Sequence, residues 1–207
     1  FKGIRYGAGY DPSPYINNSH TNPPPGIYKN KNFREGFAKL KQFDLSFEAW
    51  LYHPQIDDVI SLARDFPAQP IVLNHFGGPI GIGPYKNKRD QIFTEWKQSI
   101  QALSKCPNVF AKLGGLGMVL NGYQFESNST PPSSLELAEL WSPYFETTIE
   151  AFGTNRCMFE SNFPVDKVTS TYAVYWNCFK RIAQNASAGE KQELFHDTAK
   201  RFYRLQV

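Results

Sequence analysis

The sequence predicts an α/β fold built on a parallel sheet, and two patterns support it. Apolar runs of strand length alternate along the 207 residues with amphipathic segments of helix length. Residues 45–55 (LSFEAWLYHPQ) and 70–79 (PIVLNHFGGP) flank a helical segment at 56–66, which makes a strand–helix–strand unit. The second run is apolar throughout, as expected for a strand covered on both faces.

The remaining elements follow in order. A short strand at residues 1–5 leads into a loop at 11–32 that is rich in Pro, Asn and Ser, and loops of this length are usually functional or mobile. Ser133 or Ser134 is the expected N-cap of a long helix, which runs in one piece or in two around Pro143. Strands are predicted at 45–51, 71–74, 109–113 and 157–159, and helices at 31–42, 56–66, 91–103, 135–152, 171–184 and 188–203.

Length and composition indicate one domain or part of one, and we treat residues 1–207 as a single unit. The chain is 41% hydrophobic and 15% aromatic, which is enough for a sizeable core. Its net charge of +3 and the lack of a reader motif argue against nucleic acid, and no apolar run reaches the roughly 20 residues that span a membrane. We therefore expect a small-molecule substrate as partner, with a homo-oligomer left open.

Cysteine usage points to a reducing compartment. Cys106, Cys157 and Cys178 are odd in number and lack the spacing of a metal site, so we expect free, mostly buried thiols. This pattern favours a cytoplasmic protein. The chain opens at Phe1 with what reads as the end of a strand, and we expect it to be N-terminally incomplete.

Two histidines and one polar segment are the main candidates for chemistry. His53 and His75 each follow a predicted strand of the parallel sheet, so both imidazoles are expected at its carboxyl edge. Imidazole binds metals and transfers protons near neutral pH. The third candidate is the polar segment that follows the last predicted strand and contains Glu160 and Asn162.

Charged residues inside predicted strands are the second set of candidates. Lys112 lies within an apolar strand, where an ammonium group is costly unless it is paired or serves a site. Glu48 alternates with apolar neighbours and is a candidate partner for Lys112 or Arg5. Arg5 forms a surface ion pair or binds a carboxylate or carbonyl of the substrate. The three residues are predicted to contact substrate or to form a structural network.

Several pieces in this order resemble the amidohydrolase-related (amidohydrolase 2 type) barrels, in the branch of the sugar-acid lactonases. The resemblance covers nearly the whole chain. It rests on FKGIR at 1–5, AWLYHPQ at 49–55, IVLNHFGGP at 71–79, VFAKLGG at 109–115, FGTNRCMFESNFP at 152–164 and FHDTAKRFY at 195–203.

The resemblance implies a (β/α)8 TIM barrel of which this chain holds strands four to eight. His53 and His75 match the histidines that the family places after strands five and six, where they bind a divalent metal, zinc or else manganese. The family usually has an aspartate after strand eight, and this chain has Asn162. Three alternatives follow from that difference: Glu160 supplies the carboxylate, Asp166 folds back to supply it, or the site uses no metal.

The resemblance also implies a metal-dependent hydrolase that opens a small sugar-derived lactone or a similar ester or amide bond with activated water. In this interpretation His53, His75, Glu160 and Asn162 are catalytic. Two alternatives stay open at this point. One is a metal-dependent decarboxylase of a small aromatic or keto acid, and the other is an inactive barrel that acts as a binding protein.

Overall fold

In a computed structural model, which describes residues 1–206, five strands form one sheet. Neighbouring strands are parallel and follow one another in chain order. This arrangement confirms the predicted α/β class. The strands are β1 (Gly3–Gly7), β2 (Ser46–Trp50), β3 (Ile71–Leu73), β4 (Val109–Leu113) and β5 (Cys157–Phe159).

The helices occur near the predicted places, with two differences. The first ends at Phe37, because a 3₁₀ turn at Leu40–Phe43 and left-handed Asp44 (φ 52°) redirect the chain into β2. A π-helical turn at Glu193–Asp197 divides the terminal helix. The helices are α1 (Lys31–Phe37), α2 (Ile56–Asp65), α3 (Arg89–Leu103), α4 (Ser134–Phe152), α5 (Tyr172–Ile182), α6 (Ala188–Gln192) and α7 (Thr198–Tyr203).

Helix α4 is continuous although it contains Pro143. Pro143 is exposed, so the carbonyl that loses its helical partner, that of Glu139, lies on the solvent side of the helix. Ser133 is the N-cap: its hydroxyl accepts from the Glu136 amide, and the Glu136 carboxylate accepts from the Ser133 amide at 2.8 Å.

Side chains of the sheet alternate between two faces, as period-two geometry requires. The outer face packs against the helices and carries the main core, which includes Phe47, Leu73 and Ala111. The inner face carries a smaller cluster in which Phe202 of α7 joins Val72 and Met158. The C-terminal helix therefore covers part of the surface from which the inward charged residues project.

Two further expectations can be compared with the structure. The three cysteines are free and buried, as predicted. No helix within residues 1–206 is both long and apolar enough to cross a bilayer.

Candidate active site at the carboxyl edge of the sheet

The backbone after β3 takes an unusual path that turns His75 inward. His75 (φ 53°) and Phe76 (φ 56°) are both left-handed, a conformation uncommon for residues other than glycine. Gly115 lies directly against this turn with φ 83°, and a Cβ built on it would be 2.7 Å from the His75 Cβ. Glycine at 115 is therefore needed for the imidazole to occupy its place.

Glu160, the first residue after β5, pairs with this imidazole. Its Oε1 lies 2.5 Å from His75 Nδ1 and accepts from the His75 backbone N–H at 3.3 Å. Burial alone would raise the pKa of Glu160, but the net effect is a lowered pKa because His75, and then Lys112, stabilise the carboxylate. The indole of Trp50 packs edge-on against the imidazole, with ring centroids 4.9 Å apart. We call this contact the Glu160–His75 pair.

Arg5, Glu48 and Lys112 form a charged network beside that pair. Lys112 Nζ lies 3.1 Å from Glu48 Oε1 and 3.7 Å from the second oxygen of Glu160. Arg5 Nε donates to Glu48 Oε2 at 2.7 Å. The sequence predicted Lys112 or Arg5 as the partner of Glu48, and Glu48 contacts both. Through Lys112 the charged network continues into the Glu160–His75 pair.

Tyr203, in the last turn of α7, also belongs to this network, which no pattern in the sequence indicated. Its hydroxyl donates to Glu48 Oε1 at 2.5 Å. Burial would raise the pKa of Glu48, but Lys112, the Tyr203 hydroxyl and Arg5 together lower it to about 2. Glu48 is thus a fixed anion at neutral pH.

His53 has a different environment. Its side chain is buried, its Nδ1 accepts from the Ile80 amide at 3.2 Å, and its ring packs against Tyr85. Burial lowers the pKa of His53 to about 4. His53 is therefore neutral at physiological pH, with one ring nitrogen committed to the backbone. These contacts hold the loop after β3 and show no direct link to the Glu160–His75 pair within residues 1–206.

Asn162 does not stand alone at the position after β5. Its Nδ2 donates to Asp166 Oδ1 at 2.7 Å, and the Asp166 amide donates to the Asn162 carbonyl at 3.1 Å. Asp166 is completely buried, and burial raises its pKa to about 7. Two of the three alternatives for the missing aspartate named a carboxylate that replaces it. Asp166 does fold back, but onto Asn162, and Glu160 contacts His75.

The described residues do not by themselves complete a metal site. Within 1–206, no group of three or more His, Cys, Asp or Glu side chains is arranged to hold a metal ion. The predicted ligand His53 has its Nδ1 bonded to an amide, and the Nδ1 of His75 faces Glu160. In a neutral imidazole whose Nδ1 accepts a hydrogen bond, Nε2 carries the proton and offers no lone pair. His53 therefore has no lone pair on Nε2 for zinc, whereas His75, whose Nδ1 faces a carboxylate, keeps one. Residues 1–206 thus offer one imidazole of the kind that binds a metal, without the further ligands that would complete the site.

Comparison with known proteins identifies the family. The model of the amidohydrolase family (amidohydrolase 2 type) matches residues 1–205. The chain belongs to the amidohydrolase family. Uncharacterized protein y4mH of Sinorhizobium fredii is 36% identical over 208 residues, which cover 99% of this chain and 61% of that protein. This amidohydrolase chain thus spans about three fifths of the length of that relative.

Two further relatives carry more informative names. An L-fucono-1,5-lactonase of Burkholderia multivorans is 27% identical over 175 residues, covering 84% of this chain and 56% of that enzyme. A crystal structure of an amidohydrolase from Burkholderia multivorans with bound zinc superposes with a TM-score of 0.78 at 23% identity, covering 99% of this chain and 64% of that one. The likeness to the crystal structure confirms the predicted barrel fold, of which the five-stranded sheet is a part.

Proposed function

We propose that this amidohydrolase chain carries the catalytic edge of a hydrolase that opens a small sugar-derived lactone with activated water. The observation that supports this most directly is the Glu160–His75 pair, a carboxylate 2.5 Å from an imidazole at the carboxyl edge of a parallel sheet. A carboxylate on one ring nitrogen fixes the tautomer and makes the other nitrogen a base near neutral pH.

The proposed reaction uses Nε2 of His75 as general base. Glu160 holds the proton of the imidazole on Nδ1, so the lone pair is on Nε2. Nε2 takes a proton from water while the water oxygen bonds to the lactone carbonyl carbon. When the tetrahedral intermediate collapses, the bond between that carbon and the ring oxygen breaks. His75 returns the proton to the ring oxygen, and the product is an open-chain hydroxy acid.

The charges of the site favour a neutral substrate. Two cations, Arg5 and Lys112, face two carboxylates, Glu48 and Glu160, and all four are linked by contacts of 3.7 Å or less. The charges of these four side chains balance, so the network carries no excess positive charge to bind an acid. This supports a lactone over the anionic acid that a decarboxylase requires. Arg5, whose side chain is 45% exposed, has a guanidinium that can donate to a lactone carbonyl or hydroxyl.

The named relatives support the same substrate class. A lactonase that opens L-fucono-1,5-lactone is 27% identical to this chain, which makes a sugar 1,5-lactone the first substrate to test. Zinc in a structural relative supports a divalent metal at the level of the family. Because residues 1–206 bring together no group of three ligand side chains, zinc or manganese enters no step above, and the proposed chemistry rests on the Glu160–His75 pair.

The test is a lactone screen on the full-length protein and its Glu160→Gln variant. Acid release from neutral sugar 1,4- and 1,5-lactones is followed with a pH indicator. An amide leaves the imidazole without its anionic partner, so we expect kcat to fall roughly 10²–10⁴-fold with a much smaller change in KM. Glu150→Gln, an exposed change of the same type on α4, is the matched control and should keep full activity.

Three results would contradict the proposal. The first is a wild-type protein that opens none of the lactones but releases carbon dioxide from aromatic or keto acids. The second is a Glu160→Gln variant as active as the control, which would remove the Glu160–His75 pair from the chemistry. The third is a protein that binds lactones without turnover, which would show a binding protein instead of a hydrolase.

A further inference from the structure

Asn162 and Asp166 form a hydrogen-bonded unit that the lactone chemistry above does not use. Besides the side-chain contact of 2.7 Å, their backbones are joined through the Asp166 amide and the Asn162 carbonyl. Asn162 is left-handed (φ 50°), which an asparagine tolerates better than most residues do. Two separate hydrogen bonds therefore hold this turn in one conformation directly after β5.

Asp166 is held from its other side as well. Its Oδ2 accepts from the Gly117 amide at 3.2 Å, and its backbone carbonyl accepts from the Tyr175 hydroxyl at 3.0 Å. The Thr169 hydroxyl donates to the Gly117 carbonyl at 2.7 Å, which ties the loop after β4 to the loop after β5. Both carboxylate oxygens of Asp166 thus accept from uncharged donors, and the group is rigidly placed in the interior.

This arrangement decides which end of the Asn162 amide faces the site. Asn162 Nδ2 donates to Asp166 Oδ1 at 2.7 Å, so the end of the Asn162 amide that faces Asp166 is its NH₂ group. The amide oxygen then points away from Asp166. Asn162 is only half-buried, and its neighbour two residues earlier is Glu160 of the Glu160–His75 pair. Its amide oxygen is thus an acceptor that Asp166 does not use, two positions along the chain from Glu160.

We propose that Asp166 is a positioning residue that fixes the Asn162 amide so that Asn162 Oδ1 accepts a hydrogen bond from a hydroxyl group of the substrate. The unit thus keeps, at the position after the last strand, an oxygen acceptor without a negative charge. A neutral acceptor beside ionised Glu160 avoids a second anion next to the Glu160–His75 pair. The inference rests on the proposed function only in that the ligand is a polyhydroxylated sugar derivative.

Wild type and three variants that differ from it only at positions 162 and 166 should behave differently. Asn162→Asp sets two carboxylates against each other at about the present contact distance, and their repulsion displaces the side chain. Asp166→Asn allows the new NH₂ to donate to Asn162 Oδ1, which removes the acceptor from the site. The swap Asn162→Asp with Asp166→Asn restores every hydrogen bond with the donor and acceptor exchanged, because the new amide oxygen still accepts from the Gly117 amide.

The experiment measures these four forms of the full-length protein in two ways. The first is kcat/KM on the best neutral sugar lactone. The second is calorimetric binding of a neutral sugar lactam, an uncleavable analogue with the same hydroxyl groups. We expect each single variant to lose about 10–100-fold in both, as for a lost hydrogen bond that leaves its partner unpaired. The swap restores the hydrogen bonds but places a charge beside Glu160, so it should recover about 5-fold over the weaker single variant without reaching wild type. Thr169→Val removes the hydroxyl contact to the Gly117 carbonyl and keeps the backbone bond from Thr169 to Asp166, so it is the control for loosened loops. Any loss that it causes should not be recovered by a change at position 162 or 166.

The binding measurement separates this inference from the proposed function. If the affinities of the four forms for the lactam follow the expected order but none of them opens a lactone, the hydrolase proposal fails and the role of Asn162 stands. If the lactam does not bind, or the swap is no better than the weaker single variant in protein that melts normally, the role of Asn162 is wrong. Full activity and binding in Asn162→Asp would also overturn it.

Discussion

The charge of Glu48 should make a pH-dependent contribution to stability that can be calculated from its surroundings. Its carboxylate contacts Lys112 at 3.1 Å and Arg5 at 2.7 Å and accepts from the Tyr203 hydroxyl. The side chain is only 14% exposed, so solvent screens these contacts weakly. Replacing Glu48 by Gln keeps the shape of the side chain and removes the charge.

The lowered pKa gives the magnitude. In the folded protein the pKa of Glu48 falls from 4.5 to about 2. Each pKa unit corresponds to about 1.4 kcal/mol, so the ionised group contributes about 3 kcal/mol at pH 7. Because the folded pKa is depressed, this contribution is complete above pH 4.5 and is lost as the pH falls toward 2. At pH 3 it should be about 1.4 kcal/mol.

Urea unfolding of the full-length protein at pH 7 and pH 3 measures this directly. The difference in unfolding free energy between wild type and Glu48→Gln should be about 3 kcal/mol at pH 7 and should shrink by about 2 kcal/mol at pH 3. Exposed Glu139→Gln on α4 is the control and should change little at either pH. A difference that is the same at both pH values would show that the charged network does not stabilise Glu48 as an anion.

Two further changes test the geometry around the site. Gly115→Ala places a Cβ 2.7 Å from the His75 Cβ at a φ of 83°, so it should lower the free energy of unfolding by more than about 1 kcal/mol and should lower kcat. Gly36→Ala in α1 is its control, since nothing lies within 4 Å of the new Cβ; it should stabilise the protein by about 0.5–1 kcal/mol in thermal unfolding. Tyr203→Phe removes one hydrogen bond to Glu48 and should lower the free energy of unfolding in urea by about 1–2 kcal/mol. The effect should disappear below pH 2. An unchanged urea midpoint would show that α7 does not support Glu48.

The regular parts of the fold were predictable because their signals are local. Apolar runs and helical spacing predicted all five strands and the main helices. Of the two serines predicted as N-cap of α4, Ser133 is the one that caps it. The errors fell where local signals are weak: the early end of α1 and the π turn in the terminal helix. Helix α4 accommodates Pro143 because this residue lies on the exposed face of the helix, a fact that the neighbouring residues in the sequence do not reveal.

The sequence by itself determined which residues reach the carboxyl edge of the sheet, since the end of a strand and the alternation of its side chains are read from a few neighbouring positions. Only the tertiary structure decided which of them meet. Glu160 reaches the amide of His75 across 85 positions of the chain, and Tyr203 reaches Glu48 across 155. It also separated the two histidines: His53 is neutral and bonded to a loop amide, whereas His75 faces a carboxylate. These differences depend on burial and on partners distant in sequence, and no local pattern encodes them.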